Sequence, residues 1–246
     1  MRKGFSLGLF SDQRAHKTAS SVNGQGHGCM SNRIAIITAN TGNFDKSIDP
    51  VEQSVKADYF RFNDENFPPR YQAMTSRFQA RIPKMFGWQM APGYDYYIWV
   101  DSSCAIENPD TVDWFMKQGS VTDLAVFKHP DRNTIQEEAD FVKKKVGQKD
   151  RYLLSRYDNE LIDEEMAEIK ADKDYVDDKL FASTAFIYHN TPKVQAMMKE
   201  WWYHTSRYHI IDQLGFPYVL NKFKCTLNII KEHYMHTPYL TYVRNK

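Results

Sequence analysis

The chain has 246 residues, a length that one large α/β domain or two small ones would fill. Its 32 basic residues nearly balance its 31 acidic residues, for a formal net charge of +1. The densest basic cluster, residues 143–145, lies among acidic residues and forms no basic stripe, so we exclude nucleic acid as a partner. No stretch approaches the ~20 consecutive apolar residues of a membrane span.

Residues 1–31 and the three cysteines provide the evidence on domain organisation and on the cellular compartment. Residues 1–31 are rich in small polar residues and lack the apolar core of a signal peptide, so we predict a flexible leader followed by a single domain over residues 32–246. Cys29, Cys104 and Cys225 are widely spaced and form neither a zinc pattern nor a disulfide framework, which favours a reducing compartment. We therefore expect a cytoplasmic protein, and a viral or bacterial origin is compatible with that expectation.

Secondary structure follows from the period of the apolar residues. Short runs rich in β-branched and aromatic residues, bounded by turn residues, are typical of buried strands. In chain order we predict strands at 33–40 and 58–64, a helical segment at 71–89 interrupted at Pro83, a strand at 94–100, a short helix at 111–118 and a strand at 123–127. A helix at 134–146, a helical stretch with local breaks at 153–170, a strand at 181–189 and a helix that begins at Pro192 follow. This alternation predicts an α/β fold with a mostly parallel central sheet and helices on both faces.

Candidate ligand-binding residues follow the predicted strands. In open α/β sheets, ligands bind outside the carboxyl ends of the strands. The first strand ends in small polar residues suited to the approach of a base or ribose, which are Thr38, Ala39, Asn40 and Thr41. Asp64 follows the second strand and is a candidate nucleoside contact, although Asp is also common in turns. His129 follows the fourth strand and is a further candidate for donor binding.

Asp101 is the strongest single candidate. It comes directly after Tyr-Tyr-Ile-Trp-Val, so its carboxylate lies at the mouth of a buried strand, where a cation or hydrogen-bond donors must offset its desolvation. Mn²⁺ or Mg²⁺ that bridges this carboxylate and a diphosphate would do so. Such a metal would neutralise the charge that develops on a leaving nucleoside diphosphate. The alternative is that Asp101 caps the following turn or helix.

Two groups of charged residues are further candidates. Arg77, Arg81 and Lys84 are spaced i, i+4, i+7 and would share a helical face, where they would contact the diphosphate or simply be solvated. Arg132 offers a planar fork suited to phosphate or sugar hydroxyls, and Glu138 is its candidate partner or a sugar acceptor. The alternative for this second group is a loop-to-helix salt bridge.

The order of these motifs resembles a known enzyme family. The segments that carry the resemblance are Arg33–Gly42, Asp58–Asp64, Tyr96–Ser103, Phe127–Glu138 and His189–Leu220. They are similar to glycosyltransferases of the GT-A fold, and most similar to the family first described in plants as a domain of unknown function, which also has short viral and bacterial members. The resemblance implies a GT-A fold and transfer of a hexose or deoxyhexose from a nucleotide-diphosphate donor, with UDP-sugars favoured, to a hydroxyl of a glycan or glycoprotein.

The resemblance also implies roles for single residues. Ser102 and Ser103 fall within the Asp-x-Asp signature of that fold, where Ser103 replaces the second Asp and would bind a divalent metal more weakly than a carboxylate. In this fold a C-terminal His often completes the metal shell, so His233 and His236 are candidates. Asp212 resembles the acid below the anomeric carbon, which is a general base in inverting enzymes and a positioning residue in retaining ones. Without the resemblance, Asp212 would be a helix N-cap.

Other functions remain alternatives at this stage. A sugar-nucleotide pyrophosphorylase needs a Gly-rich, Arg-containing phosphate loop after the first strand, which residues 38–44 do not supply. A glycoside hydrolase needs two facing carboxylates, and a diphosphate site at a strand end argues against giving Asp101 and Asp212 that role. A catalytically degenerate nucleotide-sugar or glycan binding module would be consistent with the loss of a metal ligand at Ser103.

Overall fold

A central β-sheet organises the protein, whose structure is a computed structural model that describes residues 32–243. The predicted leader and Cys29 lie outside the described residues. The strands within that range are β1 (Ile34–Asn40), β2 (Asp58–Asn63), β3 (Tyr96–Val100), β4 (Cys104–Ala105), β5 (Leu124–Lys128), β6 (Phe181–His189), β7 (Leu227–Ile230) and β8 (Thr241–Tyr242). Six of them form one sheet in the order β2-β1-β3-β6-β5-β7, and β4 pairs with β8 separately.

Strand direction brings several loops to one edge of the sheet. β1 is parallel to both β2 and β3, and β5 is parallel to β7. β6 is antiparallel to both of its neighbours, β3 and β5. The carboxyl ends of the five like-directed strands therefore meet at one edge, together with the amino end of β6. Loops that bind a ligand in open α/β sheets leave from this edge.

Helices cover both faces of the sheet. They are α1 (Ser76–Gln79), α2 (Arg81–Met90), α3 (Thr111–Gly119), α4 (Ile135–Gly147), α5 (Arg151–Tyr157), α6 (Ile162–Ala171), α7 (Pro192–Arg207) and α8 (Asp212–Lys222). Alternate β1 residues lie in two different apolar clusters, with Ile37 in the cluster that includes α2, α7 and α8, and Ile36 in the cluster that includes α3. Burial on both faces explains why β1 is a continuous apolar run. The predicted α/β architecture, with a mostly parallel central sheet and helices on both faces, is confirmed.

Most predicted elements are present, and their bounds differ where the backbone turns. The helical segment at 71–89 begins only at Ser76 and breaks at Ala80, which leaves Pro83 in the first turn of α2, where a missing N–H group is tolerated. The helical stretch predicted at 153–170, with local breaks, is two helices, α5 and α6, and the chain has a positive φ of 60° at Asn159 between them. The short strands β4, β7 and β8 were not predicted.

None of the helices among residues 32–243 is long and apolar enough to cross a membrane.

Candidate active site

A cleft of about 680 Å³ opens at the carboxyl edge of the sheet. The end of β1 contributes Ala39, Asn40 and Thr41, and the residues after β3 contribute Asp101, Ser102 and Ser103. Arg77 of α1 and Arg81 of α2 line it as well. The volume lies in the range of pockets that hold small ligands. The structure therefore brings together candidates from three separate parts of the sequence.

Asp101 presents its carboxylate to this cleft. Its side chain is 30% exposed, and its Oδ1 atom accepts a hydrogen bond from the indole N–H of Trp99 at 2.7 Å. The same oxygen lies 3.7 Å from Nζ of Lys84. The turn after β3 is closed by the backbone instead, because Cys104 N–H donates to the Asp101 carbonyl at 2.9 Å. These contacts favour the site role over the alternative in which the Asp101 carboxylate caps a turn.

A buried charge cluster lies beside Asp101. Nζ of Lys84, a side chain only 1% exposed, lies 2.6 Å from Oδ2 of Asp212 and 3.0 Å from the hydroxyl of Ser183. That hydroxyl in turn donates to Oδ1 of Asp212 at 3.1 Å. Nε of Arg81 lies 3.2 Å from the Oδ2 atom of Asp212. Asp212 therefore partly neutralises the charges of both Lys84 and Arg81. Arg81 also lines the cleft.

The cluster fixes the charge of Asp212. Burial by itself would raise the pKa of Asp212, but the charges of Arg81 and Lys84 outweigh burial and lower the pKa. Burial likewise opposes the charged form of Arg81, yet Asp212 and Asp101 raise its pKa. Asp212 is the first residue of α8 and not its N-cap, which is Ile211. It is buried and is not among the residues that line the cleft, so its role as a general base stays a prediction.

The other candidates near the ends of β1 and β2 mostly hold the loops. Both carboxylate oxygens of Asp64 accept the N–H of Gly42, at 3.0 and 3.1 Å, so Asp64 fixes the turn after β1 and does not itself line the cleft. Gly42 has a φ of 77°, a left-handed conformation that suits glycine. The Thr41 hydroxyl donates to the Ser76 carbonyl at 2.7 Å and ties this turn to α1. Thr38 is buried and borders a small separate recess.

The segment that follows Asp101 is held from two sides. The Ser102 hydroxyl donates to Oδ2 of Asp45 at 2.5 Å, and Asp45 lines the same cleft. The Ser103 carbonyl accepts the N–H of Val243 at 2.7 Å, next to the β4–β8 pair. The cleft therefore has two carboxylates, those of Asp101 and Asp45. Within the part of the chain that the structure describes, no three His, Cys, Asp or Glu side chains form a group able to hold a metal.

The two C-terminal histidines lie after β7. The rings of His233 and His236 are 4.5 Å apart, and Nδ1 of His233 accepts the N–H of Met235 at 3.1 Å. Neither histidine is among the described residues that line the cleft, although Tyr234 between them is. Their role as metal ligands stays a prediction.

His129, Arg132 and Glu138 form a separate network. Arg132 Nε donates to Glu138, and the two backbone N–H groups of Asp131 and Arg132 donate to Nδ1 of His129 at 3.2 and 3.1 Å. Burial and the neighbouring Arg132 lower the pKa of His129 to about 4, while burial raises the pKa of Glu138. The loop-to-helix salt bridge offered as the alternative is therefore present. None of the three lines the cleft, and their catalytic and donor-binding roles stay predictions.

Several cleft residues were not predicted from the sequence. Arg156 and Tyr152 come from α5, Phe44 from the loop after β1, and Tyr234 and Tyr242 from the C-terminal segment. Apart from Phe44, none of them comes after the end of a strand that the sequence predicts. Arg156 lies within a mixed charged segment that is typical of a solvated helix. Arg156 belongs to α5, which packs against α4, and it lines the same cleft as Arg77 of α1.

Comparison with known proteins places the chain in a family. Residues 69–239 match the family TOD1/MUCI70, glycosyltransferase-like domain, and the search of curated proteins found no match. Among solved structures, the apo structure of the WbbM bifunctional glycosyltransferase is similar at 12% identity and a TM-score of 0.41, over 85% of this chain and 40% of that one. The apo form of mouse xyloside xylosyltransferase 1 is similar at 9% identity and a TM-score of 0.35, over 71% of this chain and 63% of that one.

The chain thus spans less than two thirds of either of these solved structures. The family match covers more than half of the chain, from before α1 to beyond β7, and includes Asp101 and the basic residues of α1, α2 and α5. The chain therefore belongs to the TOD1/MUCI70 family and carries its glycosyltransferase-like domain.

Proposed function

We propose that the protein transfers a sugar from a nucleoside-diphosphate donor, with UDP-sugars favoured, to a hydroxyl of a glycan or glycoprotein, and that the donor binds in the cleft at Asp101. One observation carries the proposal. The carboxylate of Asp101 and the guanidinium groups of Arg77 and Arg81 line a single cleft at the carboxyl edge of the sheet. Cations at that position suit a diphosphate, and small residues at the end of β1 leave space for a nucleoside.

A divalent metal fits this cleft only with help from the donor. In this proposal Asp101 and the neighbouring Ser103 would hold Mn²⁺ or Mg²⁺, and Asp45 lines the same cleft. These metals commonly take one or two carboxylates and fill their remaining positions with substrate phosphates and water. When bound, such an ion would supply charge stabilisation for the leaving nucleoside diphosphate. Arg81, held by Asp212, would add a fixed positive charge on the same side.

For Asp212 we favour the positioning role over the general-base role. Its carboxylate contacts Lys84 and Arg81, and the lowered pKa makes it a weak base. A base must also reach the acceptor hydroxyl, whereas Asp212 is only 5% exposed. Its contacts instead fix the direction in which Arg81 enters the cleft.

A donor screen tests the proposal. Thermal shift would be measured with nucleoside diphosphates and nucleotide sugars, with Mn²⁺ or with chelator, beside assays of sugar transfer and donor hydrolysis. A ligand that binds only the native state raises the melting temperature. Asp101→Asn keeps the size of the side chain and an acceptor for Trp99 but removes the charge, and it should abolish the Mn²⁺-dependent part of the shift. Asp140→Asn, on the exposed side of α4, serves as the matched control.

The outcomes separate the alternatives. Turnover that needs both Mn²⁺ and Asp101 supports the metal-assisted transferase. Sugar transfer that survives chelation supports a transferase that does not need the metal. Tight donor binding without turnover favours a catalytically degenerate nucleotide-sugar binding module. No shift with any nucleotide and no turnover contradicts the proposal as a whole.

A further inference from the structure

A second cavity, of about 490 Å³, adjoins the cleft. Phe44, Arg77 and Arg156 line both spaces, so these three residues stand at their junction. Arg77 belongs to α1 and Arg156 to α5, two short helices that are far apart in the chain. The two guanidinium groups are therefore brought to the same junction only by folding. We call Arg77 and Arg156 the arginine pair.

The arginine pair differs from the other cations of the site because its charge is not compensated. Arg81 and Lys84 both pair with Asp212. By contrast, no carboxylate among residues 32–243 forms a salt bridge with Arg77 or Arg156. The Nε atom of Arg156 is buried and lacks a hydrogen-bond partner within the same residues. Buried donors without partners are uncommon in folded proteins, and at a cleft they indicate a missing acceptor.

Aromatic rings hold both guanidinium groups in place. The Arg77 guanidinium carbon lies 4.9 Å from the centre of the Phe44 ring, and that of Arg156 lies 3.7 Å from the centre of the Tyr152 ring. A guanidinium group stacked on a ring keeps the N–H groups along its edge free to donate. Burial lowers the pKa of Arg77, and the positive charge of Arg156 lowers it further. The two guanidinium groups are therefore close enough to repel each other. Two neighbouring positive charges without a carboxylate partner among residues 32–243 favour a ligand that brings at least two negative charges.

We propose that the arginine pair binds the diphosphate of the donor, and that Arg156 is a donor-binding residue. This inference rests on the proposed function, since it takes the nucleoside diphosphate as the ligand of the cleft. Planar guanidinium groups bind phosphate oxygens through two parallel hydrogen bonds, and such charge-assisted bonds are stronger than neutral ones. The arginine pair and Asp101 with a metal would then hold the diphosphate through two separate contributions, only one of which needs the metal.

Calorimetric titration with inorganic pyrophosphate and with UDP, each in chelator and in Mn²⁺, tests the inference. The variants are Arg156→Gln, Arg77→Gln and Arg156→Lys, and Arg151→Gln on the exposed side of α5 is the matched control. Loss of one charge-assisted contact should weaken the chelator-resistant binding of pyrophosphate by roughly 10- to 100-fold in each Gln variant. Arg156→Lys keeps the positive charge but not the planar guanidinium group. Its affinity for pyrophosphate should therefore lie between those of the original protein and of Arg156→Gln. The control should bind like the original protein.

The results distinguish this inference from the proposed function. Equal pyrophosphate affinity in the original protein and in both Gln variants, at unchanged melting temperatures without ligand, overturns the arginine pair even if Asp101 remains necessary for sugar transfer. Absence of pyrophosphate binding to the original protein in chelator overturns it too. Weakened binding in both Gln variants without turnover of any nucleotide sugar supports the arginine pair and counts against the transferase.

Discussion

The buried contact between Lys84 and Asp212 allows a quantitative test. Lys84→Met retains most of the apolar stem of the side chain but removes its ammonium group. That group lies 2.6 Å from the Asp212 carboxylate, and the Lys84 side chain is only 1% exposed. Removing one partner of a buried ion pair typically costs ~3–5 kcal/mol. Arg81 still contacts the same carboxylate oxygen at 3.2 Å, so we expect a loss near the lower limit, about 3 kcal/mol. In a domain of this size that loss lowers the melting temperature by roughly 6–12 °C.

Urea unfolding followed by tryptophan fluorescence is a suitable assay, because the rings of Trp99 and Trp201 each lie 5.7 Å from Nζ of Lys84. The control is Lys143→Met, which removes a salt bridge to Asp163 between two exposed side chains and should cost less than ~1 kcal/mol.

A double-mutant cycle decides the cause. Lys84→Met combined with Asp212→Asn should cost less than the sum of the two single changes, by roughly 1–3 kcal/mol, because each single change already breaks the ion pair between Lys84 and Asp212. Single losses that add to within ~0.5 kcal/mol would show that the cost comes from packing and not from charge. A Lys84→Met loss no larger than that of the control would also refute the reasoning.

Three further predictions concern stability. Gly119→Ala places a methyl group 2.4 Å from Cγ2 of Ile187 and should lower the free energy of unfolding in urea by ~1–3 kcal/mol. The control is Gly147→Ala, whose new methyl group would have no tertiary neighbour within 4 Å and should not destabilise the protein. Glu165→Gln should cost ~2–4 kcal/mol in the same assay, because the buried carboxylate contacts His204 at 2.8 Å and His209 at 2.5 Å; a loss below ~1 kcal/mol would contradict this. The folded-state pKa of Asp212 is lowered, so its stabilisation is complete above the unfolded-state pKa of about 4 and is lost as pH falls through the folded value. The stability difference between the original protein and Asp212→Asn should therefore narrow only below about pH 4, and a difference that narrows between pH 7 and 5 would contradict the assignment.

The sequence by itself determined five of the strands and the edge of the sheet at which a site could be proposed. Short runs rich in β-branched and aromatic residues predict strands, and five such runs, at 33–40, 58–64, 94–100, 123–127 and 181–189, correspond to β1, β2, β3, β5 and β6. Because ligands bind at the carboxyl ends of strands in such sheets, the residues after β3 could be proposed as a site without coordinates. Periodicity is a local property, and it is therefore visible in a single sequence.

The tertiary structure alone decided which charged side chains line the cleft. Arg77, Arg81 and Lys84 have the spacing of one helical face, yet the break at Ala80 and the packing of α2 on the sheet bury Lys84 and leave the two arginines at the cleft. Arg156 reaches the same cleft from a helix more than 70 residues later in the chain. Asp212 is paired with cations because α8 packs against α2 and β6, at Lys84 and Ser183. Contacts between segments distant in sequence arise from packing, which no local pattern of residues specifies.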